Sequence, residues 1–151
     1  MRVLLDTNVL VRATGRANSP ARALFLRLLD APHAIVASHF LLDELRRVLR
    51  YPRVQRMHGL SPQEAEQFVR DLEASAEVVD VATAPSFRVP YDPDDDPIVA
   101  ASVYGRVDVL CTLDRHLRRS EVVAYCAAFN TRVLTDVELL AELHTQDSGS
   151  T

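Results

Sequence analysis

Short aliphatic runs alternate along this chain with longer segments of helical period, and that alternation restricts the fold more than any other feature. Val3-Leu4-Leu5, Ala34 to Ala37, Glu77 to Val81, Val107 to Cys111 and Thr131 to Leu134 read as strands. Ser19 to Leu29 reads as a helix with Pro20 in its first turn. Phe40 to Arg50 reads as another, N-capped by Ser38 and ended by Pro52. Ser61-Pro62-Gln63-Glu64 joins a capping box to a proline at the first helical position, which predicts a helix to about Ala76. Pro97 to Tyr104 is apolar on most sides, as a buried helix is. Thr135-Asp136-Val137-Glu138 is a second capping box, opening a helix to about His144. Strands spaced by helices in this way run parallel and are joined by right-handed crossovers. The predicted fold is therefore α/β, a three-layer α/β/α sandwich around a central parallel sheet of about five strands. Residues 1–145 are expected to form one domain and 146–151 a disordered tail.

The charged residues narrow the chemistry. All 17 cations are arginine, against 21 acidic residues, giving a formal net charge of −4. Without lysine the chain has no Schiff-base chemistry and no P-loop. Its four glycines, Gly15, Gly59, Gly105 and Gly149, cannot compose a dinucleotide-binding G-x-G-x-x-G loop. The acidic surplus argues against a protein that coats duplexes without specificity. Cys111 and Cys126 sit among apolar neighbours, where a thiol is usually a small buried hydrophobe, and they point to a reducing, cytoplasmic setting. No apolar run approaches the roughly 20 residues of a membrane span, and the N-terminus enters its first strand with no cleavable signal segment.

Four carboxylates stand where an α/β fold gathers ligands. Asp6 follows the first strand and Asp114 the fourth, so both emerge at carboxyl ends of strands, where binding sites form if strand order reverses between them. An Asx-turn explains Asp6 equally well, and a helix cap before His116 to Ser120 explains Asp114. Asp96 precedes Pro97 at the mouth of the buried helix, where it can cap the helix, aim an oxygen at a metal, or do both. Glu44 lies on the border of the apolar stripe of Leu41, Leu45, Val48 and Leu49, with Arg47 three residues on as a pairing partner. Desolvating a carboxylate there costs several kcal/mol unless a cation compensates. Oxygen ligands of this kind suit Mg²⁺ or Mn²⁺, and the five histidines (His33, His39, His58, His116, His144) lack zinc spacing. Divalent ions in a carboxylate nest activate water for displacement at phosphorus without a protein nucleophile.

Four segments, Leu5 to Leu10, Glu44 within Ser38 to Leu49, Asp92 to Ile98, and Thr112 to Leu117, resemble in order and spacing the motifs of PIN-domain nucleases. The likeness is greatest to bacterial toxin components of toxin–antitoxin systems, of the VapC type, and runs from Met1 to about Leu143. It implies a Mg²⁺- or Mn²⁺-dependent endoribonuclease acting on single-stranded or structured RNA, a homodimer, and a small antitoxin protein as partner. Carried over by position, Asp6, Glu44, Asp96 and Asp114 match the metal-binding, catalytic acids, and Asn8 and Thr112 match the polar residues that orient them. Leu113 departs from the family's usual glycine, and His116 from a frequent further acid.

Two arginine clusters are candidates for RNA contact: Arg46, Arg47, Arg50, Arg53 and Arg56, and the group Arg115, Arg118 and Arg119 next to Asp114. Arg115, His116 and Arg119 are the expected substrate contacts, whereas the first cluster also reads as a solvated helix face. Phe40, Tyr51 and Phe68 read as core aromatics. Two competing functions are a haloacid-dehalogenase-like phosphatase with Asp6 as nucleophile and a PIN-like scaffold that binds RNA or protein without cutting. The first lacks the acid expected two residues on, where Asn8 stands, and its lysine.

Overall fold

The structure is a computed structural model that describes residues 1–15, 18–81 and 96–150, with the side chain of Asp96 outside that set. The described elements run β1 (Arg2–Leu5), α1 (Thr7–Ala13), α2 (Pro20–Leu28), β2 (Ala34–Ser38), α3 (His39–Leu49), α4 (Pro52–His58), α5 (Pro62–Ser75), β3 (Glu77–Val79), α6 (Asp96–Tyr104), β4 (Val109–Cys111), α7 (Ser120–Ala127), β5 (Arg132–Leu134) and α8 (Asp136–Ser148). The five strands form one parallel sheet in the order β3-β2-β1-β4-β5. Chain order therefore grows leftward from β1 to β3, then jumps back to β4 on the other side of β1, placing the reversal between β1 and β4.

Local chemistry explains most of the helix starts. The side chains of Ser19, Ser38, Ser61 and Thr135 each accept a hydrogen bond from a backbone N–H of the helix they precede, and both predicted capping boxes are formed. α1 and α2 pack together, with α8 on α2 and α3 between α1 and α5, while α6 packs on β2, β4 and α7. Right-handed crossovers put the helices that lead from β1 to β3 on one face and α6 and α7 on the other, giving the three layers. Leu4, Leu5, Val36 and Leu110 of the central strands are fully buried between them. An Arg27–Asp147 ion pair ties α2 to α8, and Arg46 of α3 pairs with Asp43, Glu66 and Glu73, tying α3 to α5.

Several boundaries differ from the sequence reading. α1 has no place in that reading, because Asp6 is at once the end of the first strand and the N-cap of a helix. Pro52 does more than end α3: it occupies the first position of α4, where its missing N–H has no helical acceptor to lose. No helix spans His116 to Ser120, which forms a turn leading to α7. The segment 146–151, expected as a disordered tail, is helical to Ser148, because α8 continues past His144 and Gly149 caps it. The prolines between Ala84 and Pro93 predict a loop there, and that segment, with the acidic run Asp92 to Asp95, lies outside the described residues.

Candidate active site

Parallel pairing fixes the site's frame. Leu5 of β1 is in register with Cys111 of β4, and the Asp6 N–H continues the ladder by donating to the Cys111 carbonyl at 2.9 Å. Asp6 and Thr112 thus leave neighbouring strands together at the carboxyl edge of the sheet, on the two sides of the chain reversal. Asp6 is 3% exposed, and both its oxygens are engaged. Oδ1 accepts from the Thr7 N–H at 2.7 Å, the cap of α1, and Oδ2 accepts from the Thr112 hydroxyl at 2.7 Å.

Two further carboxylates join this pair through threonines. The Thr7 hydroxyl donates to Glu44 Oε2 at 2.6 Å, reaching from the first residue of α1 to α3. Thr112 Oγ1 accepts from the Asp114 N–H at 3.0 Å, and Asp114 Oδ1 in turn accepts from the His116 N–H at 2.8 Å. The result is a chain of contacts Glu44–Thr7–Asp6–Thr112–Asp114 across three secondary-structure elements. Burial pushes the Asp6 carboxyl up to about 6, and the negative charges of Glu44 and Asp114 push the same way. The Thr112 and Thr7 hydrogen bonds oppose that rise. The Arg47 guanidinium lies 4.0 Å from Glu44 Oε1, but it is largely exposed and compensates weakly.

An oxygen-only donor set with a buried member, raised in proton affinity by neighbouring anions, has the chemistry that a hard divalent cation would relieve. Among the described residues, no three His, Cys, Asp or Glu side chains stand close enough to hold an ion by themselves. Asp96, the fourth acid of the sequence reading, begins α6, and a crossover helix starts at the carboxyl edge of a parallel sheet. Its side chain lies outside the described residues.

The remaining expected site residues fall as follows. Asn8 is exposed and makes no side-chain hydrogen bond among the described residues, so the orienting contact expected of it is made by its neighbour Thr7. Only helical phase separates the two, because one residue turns the side chain by about 100°. Arg115 and Arg119 are exposed in and just after the turn that follows Asp114, and His116 is half-buried with Nδ1 3.9 Å from Asp114 Oδ1. Phe40 and Tyr51, expected in the core, are 40% and 47% exposed, whereas Phe68 packs on Phe25 with ring centroids 5.5 Å apart. Beside the carboxylates a groove of about 440 Å³ runs between α1 and α4, with Asn8 and Leu113 on its lining.

The profile of the PIN domain matches residues 2–116 of the chain. Among solved structures, a VapBC2 chain from Rickettsia felis, determined bound to a DNA fragment from its promoter, is similar in fold with a TM-score of 0.59. The two are 13% identical, and the similarity covers 89% of this chain and 98% of that one. No curated protein sequence matches the chain.

Proposed function

The chain belongs to the PIN-domain family, and from that membership we propose that it is a metal-dependent endoribonuclease, the toxin component of a toxin–antitoxin system. One observation carries the reading: the Asp6 carboxylate is joined to that of Glu44 through Thr7 and to the backbone of Asp114 through Thr112, at the point where strand order reverses. Asp6, Glu44 and Asp114, with Asp96, would hold Mg²⁺ or Mn²⁺. Bound there, such an ion would activate water for attack at phosphorus and offset charge on the phosphodiester.

The chain's own residues do the rest. Thr112 holds Asp6 and the Asp114 backbone in one geometry, so that neither carboxylate needs to reorganise when substrate arrives. Thr7 does the same for Asp6 and Glu44. Arg115, His116 and Arg119, in and after the turn that follows Asp114, would meet backbone phosphates of an RNA strand. The phosphatase alternative is set aside with the PIN match over residues 2–116. A small antitoxin and a second copy of the chain complete the proposed assembly, in a reducing cytoplasm that suits two buried free thiols.

The alternative reading is a PIN-like scaffold that binds RNA or protein without cutting. The test uses labelled single-stranded RNA with Mg²⁺ or Mn²⁺, with EDTA and Asp6→Asn as controls. We expect cleavage that EDTA and the substitution each abolish. Cleavage that survives Asp6→Asn would sink the site assignment, and tight RNA binding without any cleavage would establish the scaffold.

A further inference from the structure

The groove between α1 and α4 combines apolar, aromatic and cationic side chains. Its apolar lining comes from Val11 of α1, Val48 of α3, Val54 of α4 and Leu113 from the β4 exit. Tyr51 and Met57 line it too, 47% and 62% exposed. Arg12 and Arg53 line it as well, both exposed. At about 440 Å³ it lies within the range of small-ligand sites. Two of its lining residues are chain neighbours of the acidic site: Leu113 separates Thr112 from Asp114, and Asn8 lies two residues beyond Asp6.

Three features point to what it takes. Tyr51 occupies the N-cap position of α4, where Ser or Asp would ordinarily sit, yet its side chain makes no capping hydrogen bond. Helix stability therefore does not account for an aromatic there. Arg12 and Arg53 make no ion pair or side-chain hydrogen bond among the described residues, in contrast to Arg46 nearby with its three carboxylates. Two uncompensated guanidinium groups on a chain of net charge −4 mark a surface complementary to an anion. An exposed ring and cations in one apolar-lined groove match a planar base joined to phosphates.

We propose that this groove is a nucleotide subsite, in which an unpaired base of the RNA strand stacks on Tyr51 and its flanking phosphates lie against Arg12 and Arg53. The proposal rests on the nuclease reading, since the subsite would hold the strand next to the carboxylates. Leu113 forms the shared wall between subsite and acids.

The protein contains no tryptophan, so Tyr51→Trp introduces a single stacking-competent reporter. Titration with a short single-stranded oligoribonucleotide in EDTA should quench its fluorescence saturably. In the wild-type chain, Tyr51→Leu should lower affinity, read by anisotropy of labelled oligonucleotide, about tenfold, while Tyr51→Phe retains it. The double change Arg12→Ala and Arg53→Ala should flatten the slope of log affinity against log salt by about 1.4, or roughly 0.7 per lost phosphate contact. In cleavage assays the same variants should raise KM and leave kcat near its wild-type value. Oligonucleotide binding with an unquenched tryptophan, or affinity indifferent to both sets of changes, overturns the subsite. Quenching by a synthetic amphipathic helix of leucine and glutamate, but not by RNA, overturns it too and makes the groove a protein-docking surface. Cleavage with unchanged KM in the variants removes the subsite and leaves the nuclease standing. Saturable quenching without cleavage removes the nuclease and leaves the subsite.

Discussion

Replacing Asp6 by asparagine should make the metal-free protein more stable above neutral pH, although the residue sits at the heart of the site. The Asp6 carboxyl titrates near 6 in the folded chain instead of 3.8, chiefly through burial, with Glu44 and Asp114 adding like charge. A raised value means that the folded state holds this proton more tightly than the unfolded state does. The associated stability is complete below the ordinary value and is lost as pH climbs from about 4 through 6. At pH 8 both states are ionised, and the loss is about 3 kcal/mol at about 1.4 kcal/mol for each tenfold change in proton affinity. The substituted asparagine would carry no charge at any pH. It keeps an oxygen for the Thr7 N–H but forfeits the acceptor of the Thr112 hydroxyl, a cost of about 1 kcal/mol. The net expectation is a gain of about 2 kcal/mol at pH 8, or a Tm rise of about 4–8 °C for a chain of this size. At pH 4 the sign reverses to a small loss. Far-UV circular dichroism melts in EDTA at the two pH values measure both quantities. A variant no more stable than wild type at pH 8, or one whose advantage is equal at pH 4, would refute the claim that Asp6 is held ionised at a cost. Adding Mn²⁺ gives a second reading of the same charge, because it should raise the Tm of the wild type and leave the variant unmoved.

Thr112→Val keeps the shape of the side chain but removes the donor to Asp6 and the acceptor for the Asp114 N–H. It should destabilise by about 1–3 kcal/mol in urea melts and push Asp6 still higher, with Thr112→Ser restoring most of the loss. A Cβ at Gly105 would stand 2.8 Å from both the Ala101 carbonyl and Val36 Cγ1, where the end of α6 meets β2. Gly105→Ala should therefore cost about 1–3 kcal/mol, and an unchanged melting temperature would show that α6 packs less closely than this. Burial pushes the Cys126 thiol up to about 11 and Cys111 higher still. Neither should react with an aromatic disulfide reagent in the native protein at pH 8, and both should react at once in denaturant.

How much of this is legible in the sequence depends on whether one residue does one thing. The capping boxes at Ser61 and Thr135 and the aliphatic runs have a single structural meaning each, and the helices and strands they announce are present. Asp6 has three: last step of the β1 ladder, N-cap of α1, and buried acid. Reading it as a ligand conceals the helix that begins at Thr7. Pro52 misleads for the same reason, because proline both ends one helix and opens the next. The orienting role expected of Asn8 comes by position from the family resemblance, and helical phase in α1 gives the contact with Glu44 to Thr7 instead.

The arginines carry the argument one step further. In sequence, Arg46, Arg47, Arg50, Arg53 and Arg56 look like one stripe with one purpose. The break between α3 and α4 divides them. Arg46 faces α5 and is taken up by Asp43, Glu66 and Glu73, so its charge is spent on holding two helices together. Arg47 leans towards Glu44. Arg53, just beyond the break, joins Arg12 from α1 beside Tyr51 and Leu113. Charge on this surface is therefore sorted by tertiary neighbours that no linear pattern displays: Arg46 serves the fold, whereas Arg12 and Arg53 have no ion pair among the described residues. A phosphodiester strand is the ligand that would need both kinds of place at once, with cations for its flanking phosphates and unneutralised carboxylates, ready for a metal, at the bond to be cut.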